Sequence, residues 1–316
     1  LTHHFSMGLE HAWMALVAHA VLGWEIKSDL DWITGVVRFF DSYYRNETRQ
    51  RTGQELDADG RLSIYPANGL ELVIQATNPI EVVAGLQRVV AGLLQLEEGL
   101  ITMESRSYFA ALRARLPSLP TGLRNGELSL LEAQAYGRRN RNLWELSEFY
   151  AAWPYRLVGV TKPDTLPLLR STWRTVPEEQ AKKAKQDLSW MATVANVAAM
   201  GDAADARQRA IDKLSDRHAQ VRFPAFFGPG HDWLPDHNWG GSGMVGLQEM
   251  LSAAEPERTG QIFLFPAWPR EWDVVFKLHA PGPTVIAGEF KNGRLVCLTV
   301  SPESRRAFVV LPPDLH

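Results

Sequence analysis

Glu71 lies in the stretch YPANGLELV, and Asp236 lies in HDWLPDHNWGGSGMVGLQEML. Each is a carboxylate beside asparagine and glycine, in a polar stretch between apolar, helix-patterned segments. Two such carboxyls suit general acid–base work: one stays protonated and donates to a leaving oxygen, while the other stays charged and activates water. Cleavage of a glycosidic bond needs just such a pair. With 36 acidic residues in a chain of 316, acids in loops also arise by chance.

Other constellations compete with this pair. His231, Asp232, Asp236 and His237 are residue types that hold divalent ions. Their spacing matches no helix-borne ligand motif such as HExxH, so no metal is assigned. The basic loop Arg138, Arg139, Asn140, Arg141 and Asn142 can fork onto a substrate carboxylate or hydroxyls, or serve as a solvated, salt-bridged surface. His3, His4 and His11 read as fold-related or as an end effect. No GxSxG elbow, phosphate-cradling GxxxxGK[ST] or strand-borne GxGxxG occurs, and no cofactor is implied. Cys297, in the apolar run LVCLTV, is expected to be a buried, inert thiol.

The formal charge of −3 leaves no footprint for nucleic acid or an anionic membrane. One cysteine excludes an intrachain disulfide framework and a zinc–cysteine cluster. No apolar run reaches the roughly 18 residues of a membrane span, and no signal peptide opens the chain. The sequence starts at Leu1 almost inside a helical pattern, as a piece of a longer protein would; an extracellular or periplasmic place is favoured if the full-length protein carries a signal peptide. Eleven tryptophans point weakly to sugar-stacking platforms, Trp144, Trp233 and Trp239 among them.

Apolar spacing predicts helices over residues 7–21, from Ser28 as N-cap through Tyr44, from Asn78 as cap with Pro79 at the first helical position, and over 102–116, 142–152, 165–176, 187–200 and 202–215. Between 46 and 78 the helical signal stops, with turns at Asp57–Gly60 and Pro66–Gly69. A last helix should begin after Gly243, with Gly240, Gly241 and Gly243 forming the tight backbone before it. That makes nine or ten helices, nearly all in consecutive pairs. After Glu255 come short apolar runs at 262–265, 274–277, 284–290, 295–300 and 307–311, with Asn292-Gly293 as a hairpin turn. The expected architecture is a helical domain over 1–255 and an antiparallel β-sandwich module over 256–316.

The order of YPANGLE, RNRNLWELSEFYAAWPYR, DHNWGGSGMVGLQEML and IFLFPAWPREWDVVFKLHAPGPTVIAGEFKNGRL resembles the C-terminal two-thirds of the six-hairpin glycosidases of the α-L-fucosidase type, glycoside hydrolase family 95. That likeness implies an α/α toroid of helical hairpins followed by a small antiparallel β-sandwich, acting by inverting hydrolysis of an α-linked glycoside. By position, Asp236 matches the family's base and Glu71 its general acid, though Asn68-Gly69-Leu70 stand where the family shows a serine and proline. Arg139, Asn140, Trp144, Trp233, His237, Asn238 and Trp239 would then shape the pocket for an oligosaccharide or polysaccharide. The chain departs from the pattern in lacking the family's two segment histidines, its catalytic asparagines and its upstream β-sandwich. The alternatives are a polysaccharide lyase or phosphorylase on the same toroid, or a truncated piece that binds glycan without catalysis.

Overall fold

The computed structural model describes residues 5–140, 145–178, 190–215, 237–255 and 260–315. The chain divides into two compact units, Leu1–Leu157 and Val158–His316. Helices dominate, and the sheets are small and open.

In the first unit, α1 (Ser6–Leu22) buries Leu9, Ala12, Trp13, Leu16 and Ala20, a stripe at helical spacing. It ends at Gly23, whose φ of 70° places it in the left-handed region and lets its N–H reach the last carbonyls. α2 (Leu30–Thr52) buries Ile33, Val37, Phe40 and Tyr44, as their spacing predicts. Ser28 is not its cap: residues 27–29 form a 3-10 turn, and no side chain caps α2. The helix also runs on to Thr52. The segment NETRQRT lacks apolar periodicity but is rich in helix formers, and Arg49 and Arg51 suit the negative end of the helix.

β1 (Ala67–Gly69) pairs antiparallel with β2 (Val73–Pro79), so most of the expected turn at Pro66–Gly69 is strand and the turn itself follows at residues 70–72. Asn78 is not a helix cap either. It adopts a φ of 51°, its side-chain oxygen accepts from the Ile64 N–H at 2.9 Å, and its amide nitrogen donates to Gln134 Oε1 at 2.7 Å. α3 (Ile80–Leu94) therefore starts after Pro79, and α4 (Met103–Arg115) follows with Thr102 Oγ1 accepting from the Ser105 N–H. β3 (Thr121–Arg124) and β4 (Glu127–Leu130) form a hairpin, and β5 (Ala133–Ala135) and β6 (Arg138–Arg139) pair with β2.

Of the helix predicted over 142–152, the described part is a 3-10 turn, Ser147–Ala151. The end of the unit is tied to its start. The Trp13 indole N–H donates to the Pro154 carbonyl at 3.1 Å, and the buried Arg88 guanidinium donates to the carbonyls of Tyr155 and Arg156 at 2.7 and 2.6 Å.

The second unit contains α5 (Leu166–Arg174), α6 (Thr193–Ala199), α7 (Ala203–Ser215) and α8 (His237–Leu251). α8 begins well before Gly243, so its glycines are helical and do not shape a preceding turn. At Gly243 and Gly246 their use is close packing, while a Cβ on Gly241 would meet nothing. A Cβ on Gly243 would meet Leu214 Cδ2 of α7 at 2.7 Å, and one on Gly246 would meet Val194 Cβ of α6 at 2.5 Å. Leu214 presents the end of a flexible side chain, whereas Val194 is fully buried and stiff at χ1. Gly246→Ala is therefore expected to cost about 1–3 kcal/mol of stability through overpacking, and Gly243→Ala less. Melting curves of the two variants check the order; equal losses would contradict it.

β7 (Ser252–Ala254) pairs antiparallel with β8 (Ile262–Leu264), and β9 (Val274–Ala280), β10 (Thr284–Lys291) and β11 (Arg294–Ser301) form a three-stranded meander. Asn292 and Gly293, with φ of 52° and 74°, make the predicted two-residue turn. The run expected at 307–311 reduces to β12 (Val309–Val310), which pairs parallel with β8. Residues 303–308 form instead a 3-10 helix that carries the buried Arg305, whose guanidinium donates to Thr284 Oγ1 and to the Gly260 carbonyl. Phe265 packs against Phe276 and Phe290, with ring centroids 5.7 and 4.9 Å apart. Cys297 is exposed, contrary to expectation, because it lies on the face of the meander left to water.

Candidate functional site

The residues predicted to do chemistry fall in both units, and each unit is taken by itself. In the first, Glu71 occupies the tip of the turn between β1 and β2 and is exposed. Among the described residues its carboxylate makes no hydrogen bond or ion pair. Its neighbours do the anchoring. Leu72 is buried in a small cluster with Val73, Ala76 and Ala133, and Leu70 packs on that cluster. Leu70 takes a φ of 49°, and the Leu72 N–H closes the turn on the Gly69 carbonyl at 3.0 Å.

Arg139 and Asn140 come to this turn through the sheet. Arg139 sits opposite Val73 in the β2–β6 pairing, and the Asn140 N–H donates to the Leu72 carbonyl at 2.7 Å. The Arg139 guanidinium is committed to Glu132, with its Nε 3.0 Å and its Nη2 2.9 Å from Oε1. The basic loop is thus in part a salt-bridged element, and it frames the Glu71 turn. Arg141 and Trp144 lie outside the described residues.

In the second unit, His237 is the first residue of α8 and Asn238 is exposed in its first turn. Trp239 is fully buried, and its indole N–H donates to the Lys213 carbonyl at 2.7 Å. Buried Lys213 donates in turn to the Met191 carbonyl at 2.8 Å. Asp236, Trp233, His231 and Asp232 lie outside the described residues, as do His3 and His4. Among the described residues no three histidines, cysteines or acids are grouped to hold a metal, and no helix is long and apolar enough to cross a membrane.

Three buried carboxyls of the first unit escaped the reading of the sequence. Glu81, in α3, is inaccessible to water, and its Oε1 accepts from the Leu70 N–H at 3.0 Å. Burial pushes its carboxyl up to about 8; its own and the Leu70 backbone N–H groups oppose that rise, and Glu10 and Glu145 add to it. Glu148 is equally buried and pairs with Arg124 at 2.8 Å; burial raises its carboxyl, Arg124 opposes the rise and Glu132 adds to it. Glu132 holds Arg139. The signal was present in TNPIEVVAGL and LSEFYAAW, where an acid stands inside an otherwise apolar run. No family model matches the sequence, and no curated protein matches it either.

Proposed function

We propose that the chain is part of a glycoside hydrolase that cleaves an α-linked glycoside with inversion, with Glu71 as acid and Asp236 as base. The observation that carries this reading is the Glu71 turn: an exposed carboxylate at the tip of a hairpin whose two flanking leucines are anchored and whose base is framed by Arg139 and Asn140. A mobile carboxylate would be a poor proton donor, since general acid catalysis depends on fixed reach to the leaving oxygen. In this proposal the helices of both units are hairpins of an α/α toroid, and the strands after residue 255 form its β-sandwich. Exposed Asn238 lies on the sugar side, and buried Trp239 braces the start of α8. The substrate in this proposal is an oligosaccharide or polysaccharide, and inversion requires a pair of carboxyls about 6.5–9.5 Å apart, leaving room for a water.

The test is a screen of aryl α- and β-glycosides and plant polysaccharides with the full-length protein, alongside Asp236→Asn and Glu71→Gln. Turnover of an α-glycoside that both substitutions abolish, with folding intact by circular dichroism, is the expected result. Turnover that neither substitution alters removes the assignment.

A further inference from the structure

We propose that Glu81 is a positioning residue, whose buried carboxyl clamps the β1–β2 turn through the Leu70 amide and thereby fixes where Glu71 stands. The inference rests on the reading of Glu71 as the acid, but the clamp itself is a matter of geometry. Leu70 is the residue before Glu71, and its left-handed φ of 49° is one that a leucine holds only when its surroundings enforce it. Two things enforce it here. One is the 3.0 Å bond from its N–H to Glu81 Oε1. The other is the fit of Gly69, where a Cβ would stand 2.5 Å from Val73 Cγ2, 3.0 Å from Pro79 Cβ and 3.5 Å from Glu81 Oε1. The turn is pressed against the start of α3, and the carboxyl is the polar group that meets it there.

The surroundings set the state in which the clamp works. The titratable groups that face Glu81 are Glu10 from α1, Tyr44 from α2, Glu145 ahead of the 3-10 turn at Ser147–Ala151, and Tyr150 and Tyr155 within and after it. All are acids or phenols, and among the described residues none is a cation. Glu81 Oε2 is buried without a hydrogen-bond partner among the described residues, and so is the Tyr155 hydroxyl. Tyr155 packs against Gly85, one turn along α3. A neutral carboxyl suits such a place: its carbonyl oxygen accepts from Leu70 and no charge is stranded. Ionisation would put an unpaired negative charge among acidic neighbours, and the cheapest way to hydrate it is to open the turn.

Hydrogen exchange read by mass spectrometry on the full-length chain tests this, with protection of residues 69–73 corrected for the intrinsic pH dependence of exchange. In the wild type, protection at Leu70 should fall about fivefold or more between roughly pH 6.5 and 9, the loss of one net hydrogen bond. Glu81→Gln keeps a neutral carbonyl acceptor and should hold its protection across that range, while Glu81→Ala should lack it throughout. Unchanged protection in the wild type, or a fall of the same size in Glu81→Gln, overturns the clamp. If Glu81→Ala fails to fold, the comparison of wild type with Glu81→Gln decides alone. The activity arm separates the two readings. Should the screen find no hydrolysis, exchange still decides the clamp; should hydrolysis be found, the alkaline limb of its pH profile should shift in Glu81→Gln.

Discussion

Asp41→Ala is expected to lower the unfolding free energy by about 3 kcal/mol, among the largest effects of any single side chain in the first unit. Asp41 lies on α2 with only 3% of its side chain accessible. Its Oδ2 accepts from Arg115 Nη2 at 2.8 Å and from the Tyr108 hydroxyl at 2.7 Å, and Arg45 stands 3.8 Å away. One carboxylate thus ties α2 to α4 through two partners. Burial raises the Tyr108 hydroxyl and its bond to Asp41 raises it further, so it stays a donor at any ordinary pH. Truncation leaves that hydroxyl without its acceptor, an Arg115 guanidinium that is only 20% accessible without its counter-charge, and a void. Arg45, 38% accessible, can return to water, which keeps the loss below the upper end for buried pairs. Asp41→Asn keeps the volume and one acceptor oxygen and should cost about half as much. Urea unfolding of both variants measures the difference; a loss in Asp41→Ala under about 1 kcal/mol would show that water already serves these groups.

Glu81 gives the second large effect, and its sign is opposite to that of an ion-paired acid. Its carboxyl ionises near 4.5 when free and is pushed up to about 8 by burial. Between those values the folded chain holds a proton that the unfolded chain has released, so stability falls as pH rises through that window and levels off above it. Each unit of separation is worth about 1.4 kcal/mol, so the full loss is on the order of 3–5 kcal/mol. Tm recorded across this window should decline for the wild type and decline less for Glu81→Gln. Parallel curves would mean that Glu81 is solvated in the native state.

What the sequence made legible is what local rules determine. Helical periodicity is written within a few turns of chain, so Trp13, Leu16 and Ala20 of α1 and Ile33, Val37, Phe40 and Tyr44 of α2 are buried as their spacing predicts, while Val17 and Val36, read on the same faces, are only half-buried. Asn292-Gly293 made its turn because two positive φ angles are what those residues tolerate best. The misreadings share a different cause. Asn78 looks like a cap, yet it serves as a cross-link between Ile64 and Gln134, partners that no local pattern names. Gly243 looks like part of a turn, yet it lies inside α8 and admits Leu214 of α7. Cys297 sits in a run whose periodicity does not say which face is covered. At the candidate site, Glu71, Arg139 and Asn140 were all named in advance. Glu81 was not, because its partner is a backbone amide 11 positions earlier, in a turn that the sequence placed at 66–69 and the structure places at 70–72.

The bonds from Trp13 to Pro154 and from Arg88 to Tyr155 and Arg156 also bear on how the chain is born. Their partners are separated by 141, 67 and 68 positions, respectively. A ribosome releases α1 and α3 long before it releases these carbonyls. Until residue 156 emerges, the Arg88 guanidinium lacks the two carbonyls of Tyr155 and Arg156 that help to make its burial tolerable, and the first unit lacks these closing bonds. Loops of this length raise the cost of closure only logarithmically but delay it, since distant contacts form after local ones. Nascent chains arrested before residue 156 should therefore remain protease-sensitive in α1 and α3, and become resistant together once that short segment clears the exit tunnel.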